Sequence, residues 1–420
     1  MKKTIVIALL LSASSLIYAQ GAWSLKANIS GARYGAFGFA IGTKCYIGGE
    51  ETNTGYRNDF WEYNPATNVW TQKANYALSA NARSRGVGFS IGNKGYTACG
   101  KSSGSTVYNT LLEYDTLTNT WSGKASYPGL GRYSMASFSI GSKAYIGTGM
   151  DASANLRSDF YEYEQSTNTW TQKASYAGGV RWHATGLSIG TKGYFGTGDN
   201  GNNLTSDFSE YNHATNTWTA KANYPGGAII WGVGFGLNGY GYLGCGNNSS
   251  YVALGGFNRY NPTSNTWSSG GSIPARAGAV AFATATKGYC GTGSNPSELN
   301  TFYEFDVCAS LSFTIAKTNI TCNGNNDGTI NLNATGGVTP YQYSIDNGAT
   351  YQLSNSFASL APNTFTLKVT DANSCVSNSQ NSTVTEPNAL SFTSTQINVK
   401  CFGGNTGSII VTASGGTGTL

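Results

Sequence analysis

The sequence predicts an all-β protein: a six-bladed β-propeller, then a small immunoglobulin-like β-sandwich repeat and the start of a second one. Three observations lead to this prediction. A Trp-containing block recurs six times at intervals of 47 to 51 residues, a spacing typical of propeller blades. Gly and aromatic residues are abundant, as in chains of short strands joined by tight turns. The pattern changes after residue 306, where a second periodicity begins.

Composition and charge narrow the range of functions. The 420 residues allow two or three domains. A net charge of +5, with no basic run beyond the first residues, argues against nucleic acid as a partner. Two His and eight Cys without zinc-binding spacing indicate neither a metal site nor a cofactor.

The N-terminus has the pattern of a signal peptide over residues 1–19. Lys2 and Lys3 precede a short apolar stretch, and residues 17–19 offer a cleavage site before Gln20. The apolar stretch is too short for a membrane anchor, so we expect no transmembrane segment in the mature chain. A secreted or cell-surface location follows, where disulfides persist.

Each block predicts one four-stranded blade. In the first block, residues 34–41 and 45–49 form the two inner strands, and residues 59–64 alternate as a third. A Pro-Ala-Thr-Asn turn then leads into the fourth strand at Trp70. The same order of strands and turns recurs in the later blocks.

The two ends of the array predict how it closes. The propeller covers residues 20–306, and it begins with a Trp strand around Trp23 that precedes any inner strand. The last block ends with a third strand, residues 302–306, and has no Trp strand of its own. We therefore expect the first strand to complete the last blade, which removes exposed sheet edges.

The blocks resemble the kelch repeat. Its markers are a Gly pair in the second strand, a Tyr in the third and the Trp of the fourth, and the Gly pair is intact as Gly48-Gly49. Small residues replace it elsewhere: Ala98-Cys99, Gly147-Thr148, Gly196-Thr197, Gly244-Cys245 and Gly291-Thr292. The resemblance implies a propeller of six blades that binds ligands through loops on one face.

The C-terminal region has a different period, of 79 residues. Cys322 recurs as Cys401, and Ile330 as Ile409. Alternating strands lie between them, with a strong hairpin signal at Asp-Asn-Gly, residues 346–348. We predict a β-sandwich repeat over residues 307–390 and a truncated second repeat over residues 391–420.

This region resembles the SprB repeat of large surface adhesins in gliding bacteria. The motifs that carry the resemblance are Cys322-Asn323-Gly324, Asp327-Gly328, Gly336-Gly337, Pro340-Tyr341, Asp346-Asn347-Gly348 and Asp371-Ala372-Asn373-Ser374-Cys375. It implies a surface module that acts as a stalk. Because the second copy breaks off at Leu420, we expect a fragment or an abbreviated product, with surface attachment through missing C-terminal sequence.

Cysteines are expected to play two roles. Cys322 and Cys375 lie near opposite ends of the first repeat, and we favour a disulfide between them, although the four cysteines here allow three connectivities. Cys308 has no counterpart, and the partner of Cys401 would lie beyond the chain. The propeller cysteines are expected to be free and buried: Cys45, Cys99, Cys245 and Cys290.

Candidate binding residues lie on one face of the predicted propeller. There, the loop into each first strand meets the longer loop after each second strand, and loops of this kind carry binding residues. An arginine precedes the first strand in five of six blades, with aromatic residues beside it. The candidate ligand-binding residues are Arg33, Tyr34, Arg83, Arg132, Tyr133, Arg181, Trp182, His183, Trp231 and Arg276.

Two interpretations of the arginines stay open. Arginine forks grip carboxylates, so this mouth suits an acidic glycan or an acidic peptide loop. A residue that recurs in nearly every blade can equally serve the fold by bonding to neighbouring carbonyls. The recurrent third-strand glutamates are expected to make polar contacts between blades: Glu62, Glu113, Glu162, Glu210 and Glu304.

No catalytic residue is predicted. Galactose oxidase, a kelch propeller, binds copper through two His and two Tyr, but here His213 lies in a turn on the face opposite His183. A sialic acid mutarotase of six kelch blades is similar in size, and Asp151, Asp199 and His183 are its candidate acids and bases. Aspartates in such loops commonly cap turns instead.

These arguments favour a non-enzymatic recognition or adhesion protein, secreted or at the cell surface. Its propeller would bind an extracellular glycan or protein through the loop face, and its sandwich repeats would form a stalk. The alternatives are a carbohydrate-active enzyme with its site in the propeller mouth, and a structural surface-layer element without a specific ligand.

Overall fold

The computed structural model describes residues 21–52, 55–76, 82–103, 106–309, 311–372 and 375–417, except for the side chain of residue 50. The predicted signal peptide lies outside these residues. The described chain is all-β, as the sequence predicts, and consists of antiparallel sheets without a helix. None of the described residues therefore forms an apolar helix of membrane-spanning length. The chain divides into two compact units, Gly21–Val307 and a unit that starts at Cys308.

The first unit contains six four-stranded antiparallel sheets, numbered here in chain order. The chain enters through β1 (Ala22–Lys26). Sheet 1 consists of β2 (Phe37–Ile41), β3 (Lys44–Thr52), β4 (Gly55–Asn64) and β5 (Val69–Lys73). Sheet 2 consists of β6 (Val87–Ile91), β7 (Lys94–Ala98), β8 (Leu111–Asp115) and β9 (Thr120–Lys124).

The remaining sheets of this unit follow the same order. The short β10 (Arg132–Tyr133) pairs with β13 (Met150–Asp151) beside sheet 3. Sheet 3 consists of β11 (Ala136–Ile140), β12 (Lys143–Gly147), β14 (Phe160–Glu164) and β15 (Thr169–Lys173). Sheet 4 consists of β16 (Thr185–Ile189), β17 (Lys192–Gly196), β18 (Phe208–Asn212) and β19 (Thr217–Ala220). Sheet 5 consists of β20 (Val233–Leu237), β21 (Tyr240–Gly244), β22 (Gly256–Asn261) and β23 (Thr266–Ser272).

Sheet 6 combines the two ends of the unit. Its own strands are β24 (Val280–Ala283), β25 (Gly288–Gly291) and β26 (Phe302–Asp306). Its fourth strand is β1, which pairs antiparallel with β26 and places Trp23 opposite Phe305. The first strand of the described chain therefore fills the place that the fourth strand occupies in the other sheets.

The first strands of the six sheets are neighbours in a series that closes on itself. β2 lies next to β6, β6 next to β11, β11 next to β16, β16 next to β20, β20 next to β24, and β24 next to β2. Residues from all six of these strands line one shared cavity of about 300 Å³, the axial cavity. Each sheet runs outward from it, from its first strand to its fourth.

The recurrent Trp residues join each sheet to the sheet before it. The indole N–H of Trp170 in sheet 3 donates to the carbonyl oxygen of Ala125, which follows sheet 2, at 2.8 Å. The equivalent bonds join Trp70 to Ala27, Trp121 to Ala74, Trp218 to Ala174, and Trp267 to Ala222. Trp23 makes the corresponding bond from sheet 6 to Gly270 of sheet 5, at 3.2 Å.

An Asn lies two residues before five of the six recurrent Trp residues and explains the repeated turn there. Asn168 has a φ of 52°, a left-handed conformation in which Asn is several-fold enriched. Its Oδ1 accepts hydrogen bonds from the Tyr163 hydroxyl and from the backbone N–H of Ala125, both at 2.9 Å. Four other Asn residues repeat this arrangement: Asn68, Asn119, Asn216 and Asn265. One side chain therefore shapes the turn and bonds to the preceding sheet.

Aromatic side chains fill the junctions between sheets. Phe60 of sheet 1 is fully buried, with its ring centroid 4.8 Å from Tyr114 and 4.9 Å from Trp121 of sheet 2. At the junction that closes the series, Trp23 lies 4.8 Å from Phe257 of sheet 5 by ring centroids. The junction made by β1 is therefore packed in the same way as the others.

The second unit contains shorter antiparallel sheets. One consists of β27 (Ser312–Thr318), β28 (Gly328–Thr335) and β30 (Ser356–Leu360), and another of β29 (Gln342–Ser344), β31 (Asn363–Thr370) and β32 (Gln380–Val384). Apolar side chains from both are buried: Phe313, Ile330, Leu332, Leu367 and Val369. A final pair, β33 (Ser391–Ile397) and β34 (Ser408–Ser414), exposes the equivalents of the first three, Phe392, Ile409 and Val411.

The disulfide of this unit corrects the sequence prediction. Cys375 bonds to Cys308, with their Cα atoms 5.2 Å apart, and not to Cys322. Cys375 is buried, whereas Cys322 is exposed in a turn with a free thiol. Position within the repeat therefore misled the prediction, because a bond requires two sulfurs in the same part of the fold.

Candidate functional site

Six residues, one before each first strand, share a left-handed backbone. Their φ angles lie between 52° and 64°. We call them the inner ring: Gly35, Arg85, Ser134, His183, Trp231 and Gly278. For a bulky residue such as Trp231 this conformation is an outlier that the surrounding structure must hold in place.

Backbone hydrogen bonds hold the inner ring in place. Each bond runs from the N–H of one ring residue to the carbonyl of the ring residue in the preceding sheet. The bonds are Gly35 to Gly278 at 2.9 Å, Arg85 to Gly35 at 2.7 Å, Ser134 to Arg85 at 2.7 Å, His183 to Ser134 at 2.9 Å, and Gly278 to Trp231 at 3.4 Å. The six residues thus surround one opening, to which Arg85, Ser134, His183 and Trp231 contribute side chains.

The inner ring surrounds a second cavity of about 390 Å³, which we call the mouth cavity. All six ring residues line it, together with Tyr34, Met135, Ser294, Pro296 and Glu298, among others. Its volume lies within the range of small-molecule sites, which combine apolar walls with a few polar groups. Here Trp231, Tyr34 and Met135 supply the apolar walls.

Ser134 supplies a polar group without a partner. The side chain is 94% buried, since its exposed fraction is 6%. Its Oγ makes no hydrogen bond with any residue that the structure describes. A buried hydroxyl without a partner is destabilising, so this position favours an occupant that hydrogen-bonds to it.

His183 and Trp231 form a coupled pair on the wall of the mouth cavity. The indole N–H of Trp231 donates to Nε2 of His183 at 2.7 Å. Burial, together with the charges of Arg85 and Lys101, holds the pKa of His183 well below its usual value. The imidazole is therefore neutral at pH 7, and its proton lies on Nδ1.

A cluster of charged residues adjoins the mouth cavity at Arg85, away from the His183–Trp231 pair. The Glu51 carboxylate accepts hydrogen bonds from Arg85 Nε at 2.8 Å and from Ser84 Oγ at 3.0 Å. Burial disfavours the charged form of Glu51, but the positive charges of Arg85 and Lys101 outweigh it and lower its pKa. Lys101 also lies 5.2 Å above the ring of Tyr133. The Arg85 charge at the cavity is thus largely neutralised.

The structure favours a role in the fold for the arginine series, one of the two interpretations that the sequence left open. Arg33, Arg132 and Arg181 are at least 98% buried and do not line the mouth cavity. Their guanidinium groups bind three aspartates: Asp59 within β4, Asp159 directly before β14 and Asp207 directly before β18. The arginines therefore serve the fold, by tying the loop before each first strand to the third strand of the same sheet.

Two arginines have threonine in place of aspartate. Arg276 is fully buried, and its guanidinium donates to Thr301 Oγ1 at 3.1 Å and to the Thr292 carbonyl at 3.2 Å. Arg83 is half-buried, donates to Thr110 Oγ1 at 2.5 Å and lies 4.3 Å above the Tyr108 ring. Neither residue lines the mouth cavity.

The predicted aromatic residues divide into two groups. Tyr34, His183 and Trp231 line the mouth cavity. Tyr133 and Trp182 do not line it. Tyr133 bonds to Met150 Sδ at 2.9 Å, and Trp182 packs on His183 with ring centroids 4.5 Å apart.

The repeated glutamates bond within their own sheets, contrary to the predicted contacts between blades. Glu162 accepts from Tyr145 and from Lys143, both at 2.7 Å and both from the paired strand β12. Tyrosines bond in the same way to Glu62, Glu113, Glu210 and Glu304. Strand pairing places Tyr directly opposite Glu, which decides the partner.

The candidate acids and bases of an enzyme are engaged elsewhere. Asp151 is buried, accepts from the N–H groups of Ser153 and Asn155, and pairs with Arg157. Asp199 accepts from the N–H of Gly201 at 2.7 Å, a turn-capping bond. Among the described residues, no three His, Cys, Asp or Glu side chains converge as metal ligands would.

Sequence reasoning missed Arg85, Ser134, Met135 and the loop residue Glu298. Variation at one position of the repeat was the sequence signal that could have identified the residues lining the cavity. The arginine recurs in five sheets, whereas the position two residues later holds five different residue types in the six sheets and contributes all six inner-ring residues. The repeated residue serves the fold, and the variable one faces the cavity.

Comparison with known proteins bears on the second unit. A family model described as SprB repeat matches residues 314–350 and 393–419. The second unit carries SprB-type repeats. This finding supports a cell-surface, adhesin-like protein of the kind found in gliding bacteria. No curated protein matches the chain.

Proposed function

We propose that this protein is a secreted or cell-surface recognition protein whose first unit binds a glycan in the mouth cavity. In this proposal the first unit is a six-bladed propeller of kelch type, and the SprB repeats, folded as small sandwiches, act as its stalk. Residues 1–19 direct export as a signal peptide.

The proposal of a closed propeller is supported by three kinds of contact. The six first strands are consecutive neighbours around the axial cavity. A Trp of each sheet bonds to the preceding sheet, including Trp23 across the last junction. β1 completes sheet 6, so the two ends of the unit are tied together, as in other closed arrays of blades.

The single observation that carries ligand binding is the unpartnered hydroxyl of Ser134 in the mouth cavity. A ligand hydroxyl can accept from it or donate to it. The neutral His183 offers a second polar group, and the half-buried rings of Trp231 and Tyr34 offer flat apolar surfaces. Sugars combine hydroxyl groups with apolar ring faces, so a terminal sugar residue matches this lining.

The burial of the arginine series changes the expected charge of the ligand. The acidic glycan predicted from those arginines now depends on Arg85 and Lys101 alone, and Arg85 already pairs with Glu51. We therefore propose a neutral sugar as the main determinant, with acidic sugars tolerated beside Arg85.

We also propose that the protein binds without catalysis. Asp151 and Asp199 cap their own loops, and His183 is held neutral by burial and bonded to Trp231. No observation favours the mutarotase-like alternative. Accelerated interconversion of the α and β anomers of a bound sugar, followed by NMR, would overturn this part of the proposal.

Glycan-array screening of the full chain, followed by calorimetry with the best ligand, tests the proposal. Ser134→Ala should weaken binding about fivefold, since a net hydrogen bond contributes about 1 kcal/mol. The matched control is Ser139→Ala, because its Oγ is also buried and unpartnered among the described residues but the residue lines the axial cavity. Unchanged affinity in Ser134→Ala, or equal losses in both variants, would contradict glycan binding at this site.

A second pair of variants separates stacking from hydrogen bonding. Trp231→Phe keeps an aromatic face and removes the N–H that bonds to His183, whereas Trp231→Ala removes both. We expect the alanine variant to lose more affinity than the phenylalanine variant, because ring stacking contributes most of the contact area. Equal binding by all three proteins would exclude Trp231 from the site.

A further inference from the structure

Two thiols meet across the junction between sheets 5 and 6. Cys245 directly follows β21, and Cys290 lies on β25, opposite Ala281 and Tyr303. Both side chains are fully buried, and Cys290 is near enough to the Cys245 thiol to help raise its pKa. They are free thiols in the structure.

This proximity follows from the architecture of every junction. The second strand of a sheet lies against the first strand of the preceding sheet, as β25 lies against β20. The residue that follows the second strand of the preceding sheet packs there too. In the junction of sheets 2 and 3, Cys99 takes this place and shares a buried cluster with Ile146, the equivalent of Cys290.

Only one junction has cysteine at both positions. The residues equivalent to Cys245 are Gly49, Cys99, Thr148, Thr197 and Thr292. The residues equivalent to Cys290 are Ile47, Thr97, Ile146, Phe195 and Leu243. The pair therefore arises where sheet 5 meets sheet 6, the sheet that β1 completes.

We propose that Cys245 and Cys290 are an oxidation site, at which a disulfide-type oxidant joins sheet 5 covalently to sheet 6. The thiolate of Cys245 attacks the oxidant, forming a mixed disulfide and releasing one thiol. The thiolate of Cys290 then attacks the Cys245 sulfur, forms the Cys245–Cys290 bond and releases the second thiol. The two protein thiols lose two electrons, and their two protons pass to the two thiols released from the oxidant.

The bond forms while the unit folds. Burial raises the pKa of the Cys245 thiol well above its ordinary value, with the neighbouring Cys290 adding to this effect, so the folded pair reacts slowly. The opposing influence of the Arg276 charge favours the thiolate. Before the junction is buried, both sulfurs are accessible to oxidant, and the packing of sheet 6 then brings them together.

Alkylation under denaturing conditions tests the bond in the full chain. The protein is refolded with glutathione and glutathione disulfide, unfolded without reductant and treated with iodoacetamide. A Cys322→Ser/Cys401→Ser background removes the two exposed thiols, which leaves four of the six free cysteines. We expect only Cys45 and Cys99 to be alkylated, and a peptide that links residues 245 and 290 in the mass spectrum. Alkylation of all four would overturn the proposal.

Two variants keep the test specific. Cys99→Ser removes a buried thiol at the equivalent position of sheet 2 and should leave the linked peptide intact. Cys245→Ser should make Cys290 reactive in the unfolded protein. Circular dichroism of both variants checks that they fold. On reduction, the thermal midpoint of the Cys99→Ser protein should fall by several degrees. The midpoint of Cys245→Ser should fall less, because only its Cys308–Cys375 bond is reduced. Equal falls in the two variants would count against the link.

Discussion

Sheet 5 lacks the buried ion pair of sheets 1, 3 and 4 and has a register shift between Gly256 and Asn258, yet the loop before its first strand keeps the same backbone hydrogen bond. Where sheet 4 has Arg181 and Asp207, sheet 5 has Ile229 and Gly256. Ile229 is fully buried, and its carbonyl accepts from Gly198 at 2.8 Å, as that of Arg181 accepts from Gly149. Backbone bonds and packing therefore define this part of the fold, and the ion pair is one of three ways to fill this space, beside the Arg–Thr contacts of sheets 2 and 6 and the Ile229 and Gly256 of sheet 5.

Sheet 5 also differs on its outer side. Sheet 3 pairs Lys143 with Glu162 at 2.7 Å, whereas sheet 5 has Tyr240 and Arg259 at these positions. The Arg259 guanidinium lies 4.2 Å above the Tyr240 ring. The positive charge has moved to the other strand, and a cation–π contact replaces the salt bridge.

The largest expected loss of stability comes from replacing only the arginine of the sheet 3 ion pair with the residue found in sheet 5. Arg132→Ile leaves Asp159 without its partner and should lower the free energy of unfolding by about 3 kcal/mol. The double variant Arg132→Ile/Asp159→Gly copies sheet 5 and should lose about half as much, because no charge is left without a partner. Urea denaturation followed by Trp fluorescence measures both.

The control for this comparison is Leu117→Ala, at a side chain that is 83% exposed. It should change the free energy of unfolding by less than about 0.5 kcal/mol. A double variant less stable than the single one would show that sheet 5 and sheet 3 are not interchangeable solutions.

A smaller, pH-dependent effect is expected at Glu162. Burial disfavours its charge, but hydrogen bonds from Lys143 and Tyr145 outweigh burial and lower its pKa. A lowered folded-state pKa contributes stability above the unfolded pKa, and this is lost as pH falls through the folded value. Glu162→Gln should therefore cost about 1.5 kcal/mol at pH 7 and progressively less towards pH 3.

Urea denaturation between pH 7 and pH 3 checks this expectation. Arg259→Gln changes the equivalent position of sheet 5, where no carboxylate is present, so its cost should stay constant over this range. A constant cost for Glu162→Gln would exclude a role for the ionised carboxylate in stability.

The smallest effect is expected from restoring the common charge pattern in sheet 5. Arg259→Glu removes the contact with Tyr240 and should cost about 1 kcal/mol. Tyr240→Lys/Arg259→Glu recreates the pair of sheet 3 and should recover most of that loss. If the two changes were simply additive, the interpretation of Tyr240 and Arg259 as an exchanged pair would fail.

Local patterns in the sequence predicted the strands well. Gly-rich alternating segments and short turns gave the all-β class, which the structure confirms. The turn conformation of the Asn before five of the six Trp residues also follows from local chemistry, because Asn adopts the left-handed conformation that the turn requires. These features depend on neighbours in sequence, so no tertiary information was needed.

The hydrogen-bond partners of the arginines could not be predicted from the repeated arginine position alone. Arg132 and Asp159 are 27 residues apart, and the guanidinium could have pointed to the cavity or into the sheet. A partial covariation within the chain was available: sheet 5, which lacks the arginine, also lacks the aspartate, whereas sheets 2 and 6 keep the arginine and have a threonine in place of the aspartate. Repeated charged pairs that disappear together indicate a contact within the fold.

The Cys308–Cys375 bond was missed for a similar reason. The repeat suggested Cys322 because it lies within the same period, whereas Cys308 precedes the repeat and has no counterpart. Periodicity identifies equivalent residues, and it carries no information on which residues touch.

The sequence by itself determined the number of blocks, the strand pattern and the turns, because these depend on side-chain alternation and on the conformational preferences of Gly and Asn. Tertiary structure alone decided which residues of each block face the mouth cavity. The physical reason is burial: a guanidinium beside an aspartate is stabilised inside the sheet, which leaves the variable residue two positions later to line the opening.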